Sequence, residues 1–582
     1  MNRLRILVFW LFIVSITSCN FASSTPLSPT KENPTSSLPQ PNSTEPPALT
    51  GNADIIFSNG AIITMDDANP SAEAIAIQGN KILAVGTNED VLKHRGQNTT
   101  VINLEGKTLT SGFIDSHQHR VKRGLEGLID LESTLNNAVK QGWTSINELY
   151  VPPDIMPQYL ALANQDQFRL RVNIYPAANG GYGEPLGDWY KAYRQDQIFS
   201  PKVRIGGLKI FTGIDNDTRL LWTQEELNAL LLARYQEGWH LAIKTVSTES
   251  LEMILIALEN LEKTDPNIVN SRVRLEHALF FTPDQIARTK RLGVIPSIQT
   301  YMPGELVGEQ DIAELTAREP QDSAFPWRSL VTAGVVIANG SAFPTYYVDE
   351  PSGAPFGSPM HLIYQAVTRV GNLGTQPEAW MLNQTITAEQ ALRALTIDAA
   401  YANFQDHELG SITPGKLADV VILSDNPLAV PASDINNIQV LMTMIDGKVE
   451  HCEVGFESLC PISESQSNPI ITSPVPVTVD FTGNWFGPDP DDGSEITVSL
   501  AQQGNNLTGT FSDTFSGTIP PPGFAGNGSG NLTSPTSAQM TFTLTRSNGK
   551  TASIEFTLTL SNQNNTLTLT FDGGAPIVLQ RQ

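Results

Sequence analysis

The run Gly112-Phe113-Ile114-Asp115-Ser116-His117-Gln118-His119 carries two imidazoles two residues apart. Side chains at i and i+2 of a β-strand point to the same face, so His117 and His119 are set to face one pocket. Neutral imidazole is a common ligand for zinc and similar ions. The pattern therefore predicts a divalent metal, zinc by donor type, at the end of this strand. Away from a strand that ends in a pocket, the same pair reads as two ordinary histidines, so its meaning rests on the surrounding elements.

Those elements alternate. Candidate strands are Phe113–Ser116, Ser145–Leu149, Arg171–Tyr175, Ile205–Phe211, Leu241–Val246, Arg274–Ala278, Val294–Gln299 and Val335–Gly340. Amphipathic helices lie between several of them. Thr223-Gln224-Glu225-Glu226 and Thr282-Pro283-Asp284-Gln285 have capping-box form, and Thr387-Ala388-Glu389-Gln390 opens a further helix. Eight strand–helix units over residues 112–406 predict an α/β fold, a (β/α)8 TIM barrel, whose active site lies where strands end. An open doubly wound sheet is the alternative that the count disfavours. Short apolar runs in 52–111 and 407–452 predict a composite small β-sandwich built from both flanks. A Pro-rich linker over 453–476 leads to residues 477–582, whose Thr-rich alternating runs predict an all-β meander closing into a barrel or sandwich. Gly483-Asn484-Trp485 resembles the Gly-x-Trp opening of lipocalin-type barrels, and a buried core tryptophan is the plainer reading. The aromatic segment from Ala177 to Pro201, with Tyr182, Trp189, Tyr190 and Tyr193, reads equally as a pocket-shaping loop or a packed surface loop.

Composition narrows the partners. The 582 residues carry a formal charge of −24, which repels phosphate backbones and argues against nucleic acid. Three cysteines exclude a disulfide-framework fold and a Cys-rich zinc module. Arg3 and Arg5 precede an apolar run from Ile6 to Ile16, too short to span a bilayer comfortably, and Thr17-Ser18-Cys19 follows. Small residues directly before a cysteine resemble the lipobox of bacterial lipoproteins. Residues 1–19 are then a signal peptide, and Cys19 is lipidated and tied to the membrane. A plain signal peptide or a signal anchor is the alternative. Residues 20–51, rich in Pro, Ser and Thr, cannot offset their ordering entropy and should be a disordered tether. The expected location is extracytoplasmic, lipid-anchored to a bacterial membrane. In that setting Cys452 and Cys460 can form a small disulfide loop, the alternative being two free thiols. The sequence carries no signal of oligomeric state.

The chain resembles the amidohydrolase superfamily, in particular the family 3 branch that includes N-substituted formamide deformylase-like enzymes. Several segments carry the resemblance: Asp54–His119, Arg274-Leu275-Glu276-His277-Ala278, Ala366-Val367-Thr368-Arg369, and the run Gly410-Ser411-Ile412-Thr413-Pro414-Gly415-Lys416-Leu417-Ala418-Asp419. It covers about residues 53–451. The resemblance implies that His117 and His119 bind a metal, joined by the sixth-strand His277 and by Lys209 on the fourth strand, carboxylated by CO2. It also implies an eighth-strand Asp as general base and then acid. The sequence departs from that pattern at the site. Lys244 stands where a fifth-strand histidine is expected, and an ammonium is not a ligand. Gly340-Ser341-Ala342-Phe343-Pro344 places Ala342 at the base position, and Gly213 replaces an Asp four residues after Lys209. At most one firmly bound metal is expected, with Lys244 in the space of a second and paired with a carbamate on Lys209. A metal-free pocket with Lys209 as a plain ammonium is the other outcome. Asp215, Glu148 and Asp349 are the candidate substitute bases.

Two functions follow. The first is a metal-dependent hydrolase of non-peptide C–N bonds, amide or cyclic amide, acting on a small molecule. The second is a non-catalytic relative that serves as a small-molecule binding or scaffold lipoprotein, and it rests on Lys244, Ala342 and Gly213.

Overall fold

The computed structural model describes residues 50–181, 183–213, 220–245, 247–305, 317–319, 321–343, 357–371, 374, 376–461, 481–488, 495–514, 524–534, 537–546, 551–561, 566–570 and 577–581. Cys19, the signal and nearly all of the tether lie outside the described residues. So do Tyr182, Asp215, Pro344, Asp349 and the linker from residue 462 onward.

Eight parallel strands follow one another with helices between them. One sheet holds Phe113–Gln118, Trp143–Val151, Arg171–Pro176 and Val203–Ile205, with Ile198–Ser200 antiparallel at its edge. The other holds Leu208–Ile210, Leu241–Thr245, Arg274–His277, Ile295–Ile298 and Ala338–Asn339. The expected fourth strand is thus split between the two sheets at Gly206-Gly207. A Cβ at Gly206 would sit 2.7 Å from Tyr175 Cε2, and one at Gly207 would sit 2.6 Å from Tyr175 Cε1. The Tyr175 ring occupies the space that side chains would need, so the backbone bends there and one strand serves both sheets. Ala178 N donates to Lys209 O at 2.9 Å at this seam.

The second seam joins the eighth strand to the first. Ala342 N donates to His117 O and His119 N donates to Phe343 O, both at 2.7 Å. The regular eighth strand is only Ala338–Asn339, shorter than its apolar run suggests. Ala342 takes a left-handed φ of 49°, which turns the chain as it meets the first strand. Asp115 fastens the same seam by accepting from Ser341 N at 2.9 Å, Ser341 Oγ at 2.6 Å and Arg120 Nη1 at 2.6 Å. The helices Gln224–Gln236, Pro283–Arg291 and Ala388–Ala394 all open on complete capping boxes.

The flanking segments pair with one another. Val420–Leu423 runs antiparallel to Thr108–Ser111 and to Val440–Ile445, giving a six-stranded sheet with Lys448–Cys452, Ala61–Ile63 and Ser71–Ala72. A four-stranded sheet of Lys81–Gly86, Ala74–Gln78, Ala53–Ser58 and Arg95–Asn103 shares a core with it, where Phe57, Ile75 and Ile77 meet Leu109, Val420 and Met444. Cys452 and Cys460 are joined by a disulfide, their Cα atoms 6.2 Å apart.

The C-terminal region is a closed barrel of eight consecutive antiparallel strands from Gly483 to Arg581. Two of them, Gly483–Pro488 and Phe524–Ser534, lie outside the alternating runs of the sequence. In the second, Gly526, Gly528 and Gly530 stand where a Cβ would meet the neighbouring strand. At Gly528 it would lie 2.5 Å from the Phe542 ring, which packs tilted against Phe511 and edge-on against Phe556 in the interior. The interior volume belongs to the aromatic rings, so that strand reads as a loop in sequence. Trp485 is fully buried, with the Arg581 guanidinium 4.5 Å from its ring centre. Among the described residues no helix is long and apolar enough to cross a membrane.

Candidate metal site

His117 is the next-to-last residue of the first barrel strand and is buried. His119 lies one residue beyond that strand, at the start of the helix Arg120–Leu125, and is partly exposed. Their ring centres are 5.2 Å apart and nearly perpendicular. His277 ends the sixth strand, its ring centre 4.9 Å from that of His117. Neighbouring strand residues ordinarily face opposite sides. His277 escapes this through a left-handed φ of 73°, so Glu276 and His277 both reach His117. Ala278, which follows His277, is also left-handed, as are Tyr150 near the end of the second strand and Ala342 beyond the eighth. Strain of this kind collects at functional sites.

Lys209, in the middle of Leu208–Ile210, is 1% exposed and its Nζ has no hydrogen-bond partner. Its amine lies 5.2 Å from the Phe211 ring centre and that of Lys244 lies 5.6 Å from it. Burial lowers the Lys209 amine to about 8 and the Lys244 amine to about 7, the latter helped by the charge of Lys209. Burial and then Lys209 lower His117 to about 3, and burial keeps His277 and His119 neutral as well. The Lys209 charge contributes to lowering all three imidazoles. Phe211 is fixed: its N–H donates to Asn179 Oδ1 at 3.0 Å and its carbonyl accepts from Trp222 Nε1 at 2.9 Å.

The other sequence candidates are placed as follows. Ala342 sits on the closing seam next to His117, with a methyl where a base would be. Gly213 bridges to Leu220. Glu148 does not replace the base. It is fully buried, accepts from Gln118 Nε2 and Val121 N at 3.0 Å, and stands 3.7 Å from His119 Nδ1, behind the ring. In the aromatic segment Tyr190 is buried against Trp239, Trp189 Nε1 donates to Ala177 O, and Tyr193 packs on Trp189 and Phe199. These three form a packed loop.

Sequence reasoning passed over Glu276 and Arg274. Glu276 Oε2 is 2.6 Å from His117 Nδ1, and Oε1 accepts from Arg274 Nε at 2.8 Å. Burial opposes the Glu276 charge, but Arg274 and the His117 bond outweigh it and hold the carboxyl well below its usual range. The signal available was two charges at i and i+2 in a strand that must face the barrel interior.

The donor chemistry fits one cation. Nδ1 of His117 and of His277 is engaged, by Glu276 and by Gln299 Oε1 at 3.1 Å, which leaves Nε2 of each for an ion. The orphaned Lys209 amine is a further donor position. Among the described residues no group of three or more His, Cys, Asp or Glu side chains is already arranged to hold a metal, so the set depends on Lys209. A second ion does not fit beside Lys244.

The barrel is a known architecture. A metal-dependent hydrolase of Pyrococcus furiosus superposes with a TM-score of 0.52 at 16% identity, over 64% of this chain and 99% of that one. The amidohydrolase family profile matches residues 130–451, more than half of the chain, spanning Lys209, Lys244, His277 and Ala342. The chain therefore belongs to the amidohydrolase family, in its family 3 branch. It is 23% identical to Protein LONG AFTER FAR-RED 3 of Arabidopsis thaliana over 68% of this chain and 91% of that protein. It is 28% identical to the N-substituted formamide deformylase of Arthrobacter pascens, over 56% of this chain and 60% of that protein.

Proposed function

We propose that this chain is a metal-dependent hydrolase of non-peptide C–N bonds, in amides or cyclic amides, working outside the cytoplasm from a lipid anchor on Cys19. The observation that carries the reading is the cluster of the His117, His119 and His277 rings at strand ends of an amidohydrolase barrel that also buries the unpartnered amine of Lys209. The name of the Arthrobacter relative supports an N-substituted amide as the substrate class. The three imidazoles and a Lys209 carboxylated by CO2 would hold one divalent ion, zinc by donor type. When bound, that ion supplies an acidified water and a polarised carbonyl. Lys244 contributes a fixed amine in place of a second ion. Phe211, clamped by Asn179 and Trp222, walls the pocket beside both amines. Ala342 can neither hold nor pass a proton. Loss of a positioned base lowers a rate by ~10²–10⁴, so hydrolysis is slow.

Ala342 also favours a second reading, in which the barrel binds a small molecule without turning it over. Metal analysis of protein purified without chelator separates the two. About one equivalent of zinc, lost in His117→Ala, supports the hydrolase. Protein without metal, whose melting temperature is unmoved by EDTA, sinks that reading and leaves the binding module.

A further inference from the structure

The imidazole of His117 is held by a buried ionic chain that runs away from the pocket. Its Nδ1 meets Glu276 Oε2 at 2.6 Å. Glu276 Oε1 accepts from Arg274 Nε at 2.8 Å. Arg274 then spends its remaining donors on fixed acceptors: Nη1 on Asn403 Oδ1 at 2.7 Å and Tyr175 Oη at 3.0 Å, Nη2 on Ser116 O at 2.6 Å. Asn403 is held in turn, accepting from Asn147 Nδ2 at 3.2 Å and donating to Asn147 Oδ1 at 3.1 Å. Every side chain of the chain is buried, and Glu276 is completely so. A carboxylate only accepts, so the proton between Glu276 and His117 belongs to Nδ1. Nε2 is then the unprotonated nitrogen. A free imidazole in water prefers the opposite tautomer, with the proton on Nε2, and in that form it cannot bind an ion through Nε2.

We propose that Glu276, braced by Arg274, is a positioning residue that sets the tautomer and orientation of His117 before any metal arrives. Glu276 touches neither substrate nor ion; it acts through His117. The physical gain is pre-organisation. The ring is already turned and its Nε2 lone pair already free, so binding does not have to break a competing arrangement. The other two imidazoles have weaker partners. His277 Nδ1 has the neutral amide of Gln299, and His119 Nδ1 stands 3.7 Å from Glu148, beyond hydrogen-bond distance. The ionic brace is thus concentrated on the one histidine that neighbours both others. The inference rests on the reading of His117 as a ligand, and its test is chosen to stand apart from that reading.

The test uses full-length, metal-free protein with ¹⁵N-labelled histidine, the His117 signal being assigned by its loss in His117→Ala. The expected result is a protonated Nδ1 and a pyridine-type Nε2 on His117. A protonated Nε2, or rapid averaging of the two tautomers, overturns the proposal. In Glu276→Gln the fixed tautomer should be lost and zinc affinity should fall about 10–100-fold. Zinc binding within about twofold of the parent also overturns it. Should Glu276→Gln fail to fold, the tautomer in the unsubstituted protein still decides. A parent that shows the fixed tautomer but takes up no zinc upholds the positioning role and sinks the hydrolase reading instead.

Discussion

At the scale of single residues, the site is marked by what its amines cost the fold. Lys244 is 2% exposed, and burial together with Lys209 brings its amine from 10.5 to about 7. A base whose pKa is lowered by folding binds fewer protons in the folded state than in the unfolded one between those two values. Stability therefore rises with pH from about 7 and reaches its full value near 10.5. Lys244→Met keeps the volume and removes the charge. It should raise the midpoint of urea unfolding at pH 7 and flatten the rise between pH 7 and 10, leaving the smaller part that belongs to Lys209. An unchanged pH profile in Lys244→Met would show that this ammonium is not desolvated. The pairing of His117 with His119 was legible in sequence because strand periodicity aims i and i+2 at one side. Glu276 was not, because its meaning depends on His117, 159 residues away.

At the scale of elements, three glycines at two seams govern the barrel. Gly206-Gly207 lets one strand serve two sheets under Tyr175, and Gly340 lets the eighth strand close on the first. A Cβ at Gly340 would lie 2.5 Å from His117 N and 2.6 Å from His117 Cβ. Neither atom belongs to the end of a flexible side chain, so something in the backbone must move. Gly340→Ala should cost about 1–3 kcal/mol of stability and, if His117 binds the proposed metal, lower metal uptake, because the shift falls on His117. Calorimetry and metal analysis of the one variant check both. If stability drops while metal uptake holds, closure and site are separable. The eight strand–helix units and the three capping boxes were readable from apolar runs and cap residues. The split of the fourth strand was not, because a ring from the third strand imposes it.

At the scale of the whole molecule, the barrel and the flanking sheets are tied by charge. Arg171 on the third barrel strand pairs with Asp419 through Nε at 2.8 Å and Nη2 at 3.0 Å, and with Asp446 at 3.1 Å. Arg171 and Asp419 are both buried. Arg171→Ala leaves the Asp419 carboxylate buried without its cation, and a broken pair of this kind costs about 3–5 kcal/mol. Thermal unfolding should shift down as one transition for residues of the barrel and of the sheets. If hydrogen exchange shows the sheets opening first while the barrel stays protected, the pair is not what couples them. The C-terminal barrel draws its core from its own strands, with Trp485, Phe511, Phe542 and Phe556 among them.

The sequence by itself determined the alternation of strands and helices, the family, and the chemical types set at the mouth: two imidazoles at the end of one strand, a lysine on the fourth, a lysine and an alanine where the family differs. These follow from periodicity and local motif, which act over a few residues. Only the tertiary structure decided that a left-handed His277 brings Glu276 and His277 to the same side, that Arg274 and Asn403 brace that carboxylate, and that Gly340 must stay bare. Each of those depends on atoms more than a hundred residues apart in the chain meeting in a buried space. There the energy of a charge or the room for a methyl is set by partners that no local pattern contains.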